Sequence, residues 1–155
     1  MKIMAASDSH GTVSALVDAV ELEKPDLMIF LGDGWQDVDR LMYALPKQRI
    51  ERVPGNCDLY ADAPYERLII ENGRRIFFCH GHTKGVKSGL QALTAHGKRL
   101  KADIILYGHT HRPYCSYDGT TWIMNPGSMS RFEKQTYGLI HIDENSCTCE
   151  IKSYK

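Results

Sequence analysis

An excess of either charge is missing: 19 Lys and Arg stand against 19 Asp and Glu in 155 residues. That balance argues against a surface that grips long nucleic acid through bulk basicity. Also missing is any apolar run near the ~20 residues needed to span a bilayer. The opening MKIMAASDSHG turns polar before a signal-peptide core could form, so a cytoplasmic setting without a membrane partner is expected. Cysteine is sparse and odd in number (Cys57, Cys79, Cys115, Cys147 and Cys149), which argues against a disulfide framework. Cys147 and Cys149 alternate within SCTCEIK and read as packing residues on one face of a strand. Neither a G-x-S-x-G elbow nor a P-loop occurs, so nucleophilic-serine and P-loop chemistry have no motif here. No linker, repeat or low-complexity stretch interrupts the chain, and one domain over residues 1–155 is expected.

What is present is an alternation of short apolar runs and amphipathic segments. KIMAAS, DLMIFLG and QRIERV read as strands. Between them, Val13, Leu16, Val17 and Val20, then Val38, Leu41, Met42 and Leu45, recur at the spacing of one helix face. Strand, helix, strand, helix, strand predicts a parallel sheet. The second half reads differently. Asn72-Gly73 and Asp118-Gly119 mark hairpins, and a third turns near residues 143–145. GVKSGLQALTAHGKRL reads as a helix with Leu90, Leu93 and Leu100 as its stripe, followed by the strand ADIILYG. The fold class expected is α/β, with two packed mixed sheets flanked by helices.

Five of the strands end in unusual polar strings: Ser7-Asp8-Ser9-His10-Gly11, Gly32-Asp33-Gly34, Gly55-Asn56-Cys57-Asp58, Cys79-His80-Gly81-His82 and Gly108-His109-Thr110-His111. Carboxyl ends of parallel strands share one sheet edge, where open α/β folds place their ligands. His109 and His111 are one residue apart and can face one side, with Gly108 permitting a sharp turn before them. Packed together, these imidazoles and carboxylates must be protonated, solvated or neutralised by cations. Mixed N and O donors suit Mn, Fe, Ni or Zn. Seven candidate ligands exceed the needs of one tetrahedral ion and match two ions that share a carboxylate.

The ordered set D-x-H, G-D, G-N-x-D, C-H and G-H-T-H, followed by Asn125-Pro126-Gly127-Ser128, resembles the calcineurin-like metallophosphoesterase superfamily. Its short length and Gly-Asn-Cys-Asp are most similar to the small prokaryotic phosphodiesterases, a branch that also includes the retromer-type scaffold subunit. The resemblance implies a four-layer α/β/β/α sandwich and a dinuclear centre. Asp8, His10, Asp33 and His111 would hold one ion, and Asp33, Asn56, His80 and His109 the other, with Asp33 bridging. Manganese is the first expectation, with nickel, iron or zinc as alternatives. Hydrolysis of a small phosphodiester or nucleotide-like substrate by a metal-bridging hydroxide is the implied activity, with Asp33 and Asn56 as its catalytic residues.

One position departs from the family. Many members carry a histidine where this chain has Cys57, and an ordinary thiol is a poor general acid. The expectation is a preference for diesters or activated aryl phosphates over alkyl monoesters. His82 is a support for a metal ligand, a substrate contact or a surface loop histidine, and Arg112 either grips phosphate or points to solvent. Trp35, next to the second motif, either lines a substrate cleft or packs at a helix start, and packing is the expectation. Segments 60–66 and 129–136 are expected to shape the cleft. The alternative function is a protein-binding module of the retromer-scaffold kind with a vestigial metal site, distinguished by completeness of the ligand set. An oligomeric state is left open.

Overall fold

Alternation along the strands decides the layering. The computed structural model describes residues 1–155. The strands in chain order are β1 (Lys2–Ala6), β2 (Leu27–Phe30), β3 (Ile50–Arg52), β4 (Glu66–Glu71), β5 (Arg74–Cys79), β6 (Ile104–Leu106), β7 (Tyr114–Tyr117), β8 (Trp122–Asn125), β9 (Thr136–Ile142) and β10 (Cys147–Ser153). The helices are α1 (Val13–Glu23), α2 (Trp35–Ala44) and α3 (Gln91–Arg99). In β1, Ile3 and Ala5 enter one apolar cluster while Met4 and Ala6 enter another, so both faces of the strand are covered.

Two five-stranded sheets result, ordered β10-β9-β1-β2-β3 and β4-β5-β6-β8-β7. Within the first, β1, β2 and β3 run parallel and β9 returns antiparallel beside β1. Within the second, β5, β6 and β8 run parallel, with β4 and β7 as antiparallel edges. Ile3, Ala5, Ile29 and Leu31 of one sheet meet Ile76, Phe78, Leu106 and Met124 of the other in the central core. Leu16, Ala19, Val38 and Leu41 of α1 and α2 cover the outer face of the first sheet, and Leu93 of α3 covers that of the second. The layers are therefore α/β/β/α, as the family resemblance implies. Cys147 and Cys149 both pack at the central core. No helix is long and apolar enough to cross a membrane.

Two expectations change. The helix expected over residues 85–100 begins only at Gln91 and is preceded by two 3₁₀ turns. Gly85 (φ 62°) and Gly89 (φ 135°) adopt conformations that a helix cannot continue through, and Leu93 alone of the three leucines is fully buried. In α2, Met42 lies at the border of the apolar stripe and is 44% exposed.

Candidate metal centre

The parallel strands of both sheets end at a common rim, and there the backbone leaves its extended path abruptly. Asp8, His10, Asp33, His109 and His111 all take positive φ, between 42° and 69°. Such a conformation costs an L-residue roughly 1–2 kcal/mol and is tolerated best by Asp, Asn and His. Its concentration at these five positions marks a place where side-chain direction outweighs backbone comfort. Gly108 does not make the turn before His109; that turn is made by His109 itself (φ 69°). Gly108 instead permits close approach, since a Cβ there would sit 2.1 Å from Ser7 Oγ.

All seven expected ligands meet. Asp8 Oδ1 lies 3.1 Å from His111 Nε2, 3.8 Å from His10 Nε2 and 3.9 Å from His80 Nε2. Asp33 Oδ2 lies 3.4 Å from His80 Nε2 and 3.9 Å from His10 Nε2. Asn56 Oδ1 is 3.1 Å from His80 Nε2, and the His80 and His109 rings are 5.0 Å apart. Donor atoms of Asp8, His10 and His111 form one group within 4.8 Å, and those of Asp33, His80 and His109 another. Asp8, Asp33 and His80 are buried, whereas His10 and Asn56 are on the open side.

Fixed partners orient these groups. His80 Nδ1 lies 2.7 Å from Leu31 O; the tautomer that donates there leaves Nε2 with a free lone pair aimed at the cluster. Asp8 Oδ2 accepts from Ser7 Oγ and from the His109 N–H at 3.1 Å. Asp33 Oδ1 accepts the Cys57 N–H at 2.8 Å. Ser128 Oγ donates to Asp8 O, and Asn125 Nδ2 donates to Gly108 O, so the Asn-Pro-Gly-Ser turn ties both histidine and aspartate loops down.

Two carboxylates that went unassigned in the sequence prove central to the geometry. Asp58 accepts four backbone N–H groups: Asp33 and Gly55 on Oδ2 (2.7 and 2.8 Å), Gly34 and Trp35 on Oδ1 (3.0 and 2.9 Å). It thereby staples the loop after β2 to the loop after β3 and satisfies donors at the start of α2. Glu133 Oε1 lies 3.0 Å from His111 Nδ1, within the segment expected to shape the cleft. The first is readable as the last letter of G-N-x-D. No periodicity announces the second.

Of the remaining expectations, His82 is half-buried with its ring 5.4 Å from that of His80 and its Nδ1 buried without a partner. Arg112 is exposed and lines a small cavity with His109 and His111. Trp35 does not simply pack at the helix start: it is half-buried, carries the Arg52 guanidinium 3.7 Å over its ring, and lines a cavity of about 630 Å³ with His10, Asp33 and Cys57.

The electrostatics are those of a site that attracts cations. Burial alone would raise the Asp33 pKa, but the hydrogen bond and charge of His80 hold it well below the carboxylate range. His111 is raised to about 9, first by the Asp8 carboxylate 3.1 Å from its Nε2 and further by Glu133, against the opposing effect of burial. Burial and the His80 charge push His82 and His109 the other way. Asp8 Oδ1 is buried and accepts no well-aligned hydrogen bond, its nearest imidazole neighbour being His111 Nε2 at 3.1 Å. An anionic oxygen in that position is costly unless a cation faces it. Oxygen and imidazole donors around it fit a divalent transition ion.

Comparison with known proteins identifies the family and the fold. Residues 1–145 match the calcineurin-like phosphoesterase superfamily domain. The chain is 31% identical to the phosphodiesterase YfcE of Escherichia coli (strain K12) over 157 residues, spanning 84% of this chain and 80% of YfcE. Among solved structures, a predicted phosphoesterase from Streptococcus pneumoniae superposes with a TM-score of 0.84 at 26% identity, over 99% of this chain and 89% of that one. Wild-type Vps29 of Entamoeba histolytica, solved with Zn²⁺, superposes with a TM-score of 0.78 at 20% identity over the full length of both.

Proposed function

Since the chain belongs to the calcineurin-like phosphoesterase superfamily, we propose that it is a metal-dependent phosphodiesterase of small phosphodiesters. The observation that carries this reading is the buried Asp8 Oδ1, which faces the Nε2 atoms of His10, His80 and His111 together and accepts no aligned hydrogen bond from any of them. Asp8, His10, Asp33 and His111 would hold one divalent ion. Asp33, Asn56, His80 and His109 would hold a second, with Asp33 shared. Manganese is our first choice of metal, and nickel, iron and zinc suit the same donors. When bound, such ions neutralise phosphoryl charge and acidify a water to the point of nucleophilicity at neutral pH.

The chain's own residues do the rest. Asn56 sits on the open side of the cluster, where its amide N–H can donate to a phosphoryl oxygen and fix the substrate's orientation. Glu133 holds the His111 ring so that Nε2 faces Asp8. A Glu133→Gln variant is expected to bind Mn²⁺ about 10–100-fold more weakly, as read by calorimetric titration. Affinity equal to that of the parent would reduce Glu133 to a surface carboxylate.

Cys57 stands at the rim of the cleft, with its thiol pKa raised by desolvation and by the Asp33 charge. A neutral thiol cannot replace an imidazolium as proton donor to a poor leaving group. We therefore expect bis-aryl phosphate to be cleaved well and alkyl monoesters poorly, in protein stripped of metal and reloaded with Mn²⁺, Ni²⁺ or Zn²⁺. Cys57→His is expected to raise monoester turnover about 10²-fold relative to diester turnover. An unchanged ratio would remove Cys57 from the account, and no turnover with any bound ion would remove the enzyme. A cytoplasmic setting suits the five free thiols. The scaffold alternative rests on the fold shared with Vps29, and the complete donor set favours the enzyme over it.

A further inference from the structure

Two openings flank the cluster. The cavity of about 630 Å³ touches it at His10 and Asp33 and runs outward along Trp35, Leu59 and Tyr60. Leu59 is 82% exposed and Tyr60 96% exposed, an unusual outlay of apolar and aromatic surface beside a polar site. The acids of this cavity are already engaged: Asp37 accepts from Ser9 Oγ and Gly11 N–H, Asp58 from its four backbone donors, and Asp39 pairs with Arg52 at 2.8 Å. What the acids leave free is the apolar and aromatic surface of Leu59 and Tyr60, with Gln36 and the Arg40 guanidinium also lining the cavity.

On the other side, cavities of about 470 and 300 Å³ share Lys87, Thr110 and Arg112, and the smaller reaches the cluster at His109 and His111. Glu133 is the one carboxylate lining the smaller cavity, and it is engaged with His111. Two cations, Lys87 and Arg112, thus line this opening, the larger cavity adding Val86, Leu90, Tyr107 and Tyr114 beside them. A phosphodiester has two arms, and a phosphorus held at the cluster would send one arm into each opening.

Resting on the phosphodiesterase reading above, we propose that the preferred substrate is an asymmetric diester, with a planar apolar group on one arm against Leu59 and Tyr60 and a second negative charge on the other arm facing Lys87 and Arg112. Stacking on an exposed aromatic ring tolerates any planar group, so the first arm sets class rather than identity. A guanidinium and an ammonium beside each other select an anion.

The test compares two probes on the Mn²⁺-loaded full chain, both read by nitrophenolate release: 4-nitrophenyl ethyl phosphate and 4-nitrophenyl 2-carboxyethyl phosphate. The parent protein is expected to favour the carboxylate-bearing diester about tenfold in kcat/KM, as one charge-assisted contact provides. In the Lys87→Ala/Arg112→Ala double variant that preference is expected to collapse towards unity. Tyr60→Ala, at a position too exposed to govern folding, is expected to lower kcat/KM for both probes about tenfold through loss of stacking. Equal rates on the two probes in the parent, or a preference that survives the double variant, would overturn the anionic arm. Unaltered kcat/KM in Tyr60→Ala would overturn the planar one. Hydrolysis of neither probe would bring down the phosphodiesterase reading and this proposal with it, whereas rapid hydrolysis without selectivity brings down the proposal alone.

Discussion

Asp33→Ala is expected to lower kcat/KM on bis-aryl phosphate about 10³-fold, the scale on which removing a preorganised charged group acts. The position concentrates three functions in one carboxylate. Oδ2 faces His80 and His10, Oδ1 holds the Cys57 N–H, and the backbone N–H is stapled by Asp58. Alanine removes the anion from the middle of the donor set, so metal content measured by elemental analysis should fall alongside activity. It also places a residue poorly suited to φ 58° at that turn, which adds roughly 1 kcal/mol of backbone strain. Asp33→Asn separates these effects, since the amide oxygen can still accept from Cys57 while the charge is gone. The asparagine variant should stay folded and remain as inactive as the alanine one. Full metal content with activity within about tenfold of the parent would show that Asp33 is not at the heart of the centre.

Asp58→Ala is expected to do nearly as much damage without touching the reacting groups. Four backbone donors lose their acceptor at once. Each such donor costs about 1–3 kcal/mol when buried, and water reaching the partly open loop reduces the total to about 2–4 kcal/mol. For a chain of this length that corresponds to a fall in Tm of roughly 5–15 °C. Activity should drop about 10²-fold even below the new Tm, because the loops bearing Asp33 and Asn56 are no longer stapled together. Asp58→Asn, which keeps one acceptor oxygen, should fall between. A Tm within about 2 °C of the parent, with normal turnover, would assign the stapling to other contacts.

The contrast between these two aspartates explains what was legible in the sequence. Asp8, His10, Asp33, Asn56, His80, His109 and His111 each follow an apolar run directly, so the rule that strand ends share an edge suffices to group them. Both sheets and their flanking helices follow from the same periodicities. Asp58 acts on peptide N–H groups, which every residue possesses, so no residue type signals its targets. Glu133 meets His111 across a loop of irregular backbone, where neither 2.0 nor 3.6 periodicity operates. Of the helix expected over residues 85–100, the part carrying Leu90, Leu93 and Leu100 forms as α3 and its caps, while the conformations of Gly85 and Gly89 keep the residues before it out of the helix. For Trp35 burial propensity favours packing over cleft lining, but it says nothing about which cavity the exposed part of the ring lines.

The pairing of β1 with β9 has a bearing on how the molecule is made. Lys2–Ala5 hydrogen-bonds to residues 138–141, at opposite ends of the described chain. At a synthesis rate of about 5–20 residues per second, the ribosome delivers the second partner roughly 7–27 s after the first. Throughout that interval one edge of β1, bearing Ile3 and Ala5, has no strand beside it, and the rim where the aspartates and histidines converge cannot close. β1 is thus synthesised well before the strand that completes its pairing.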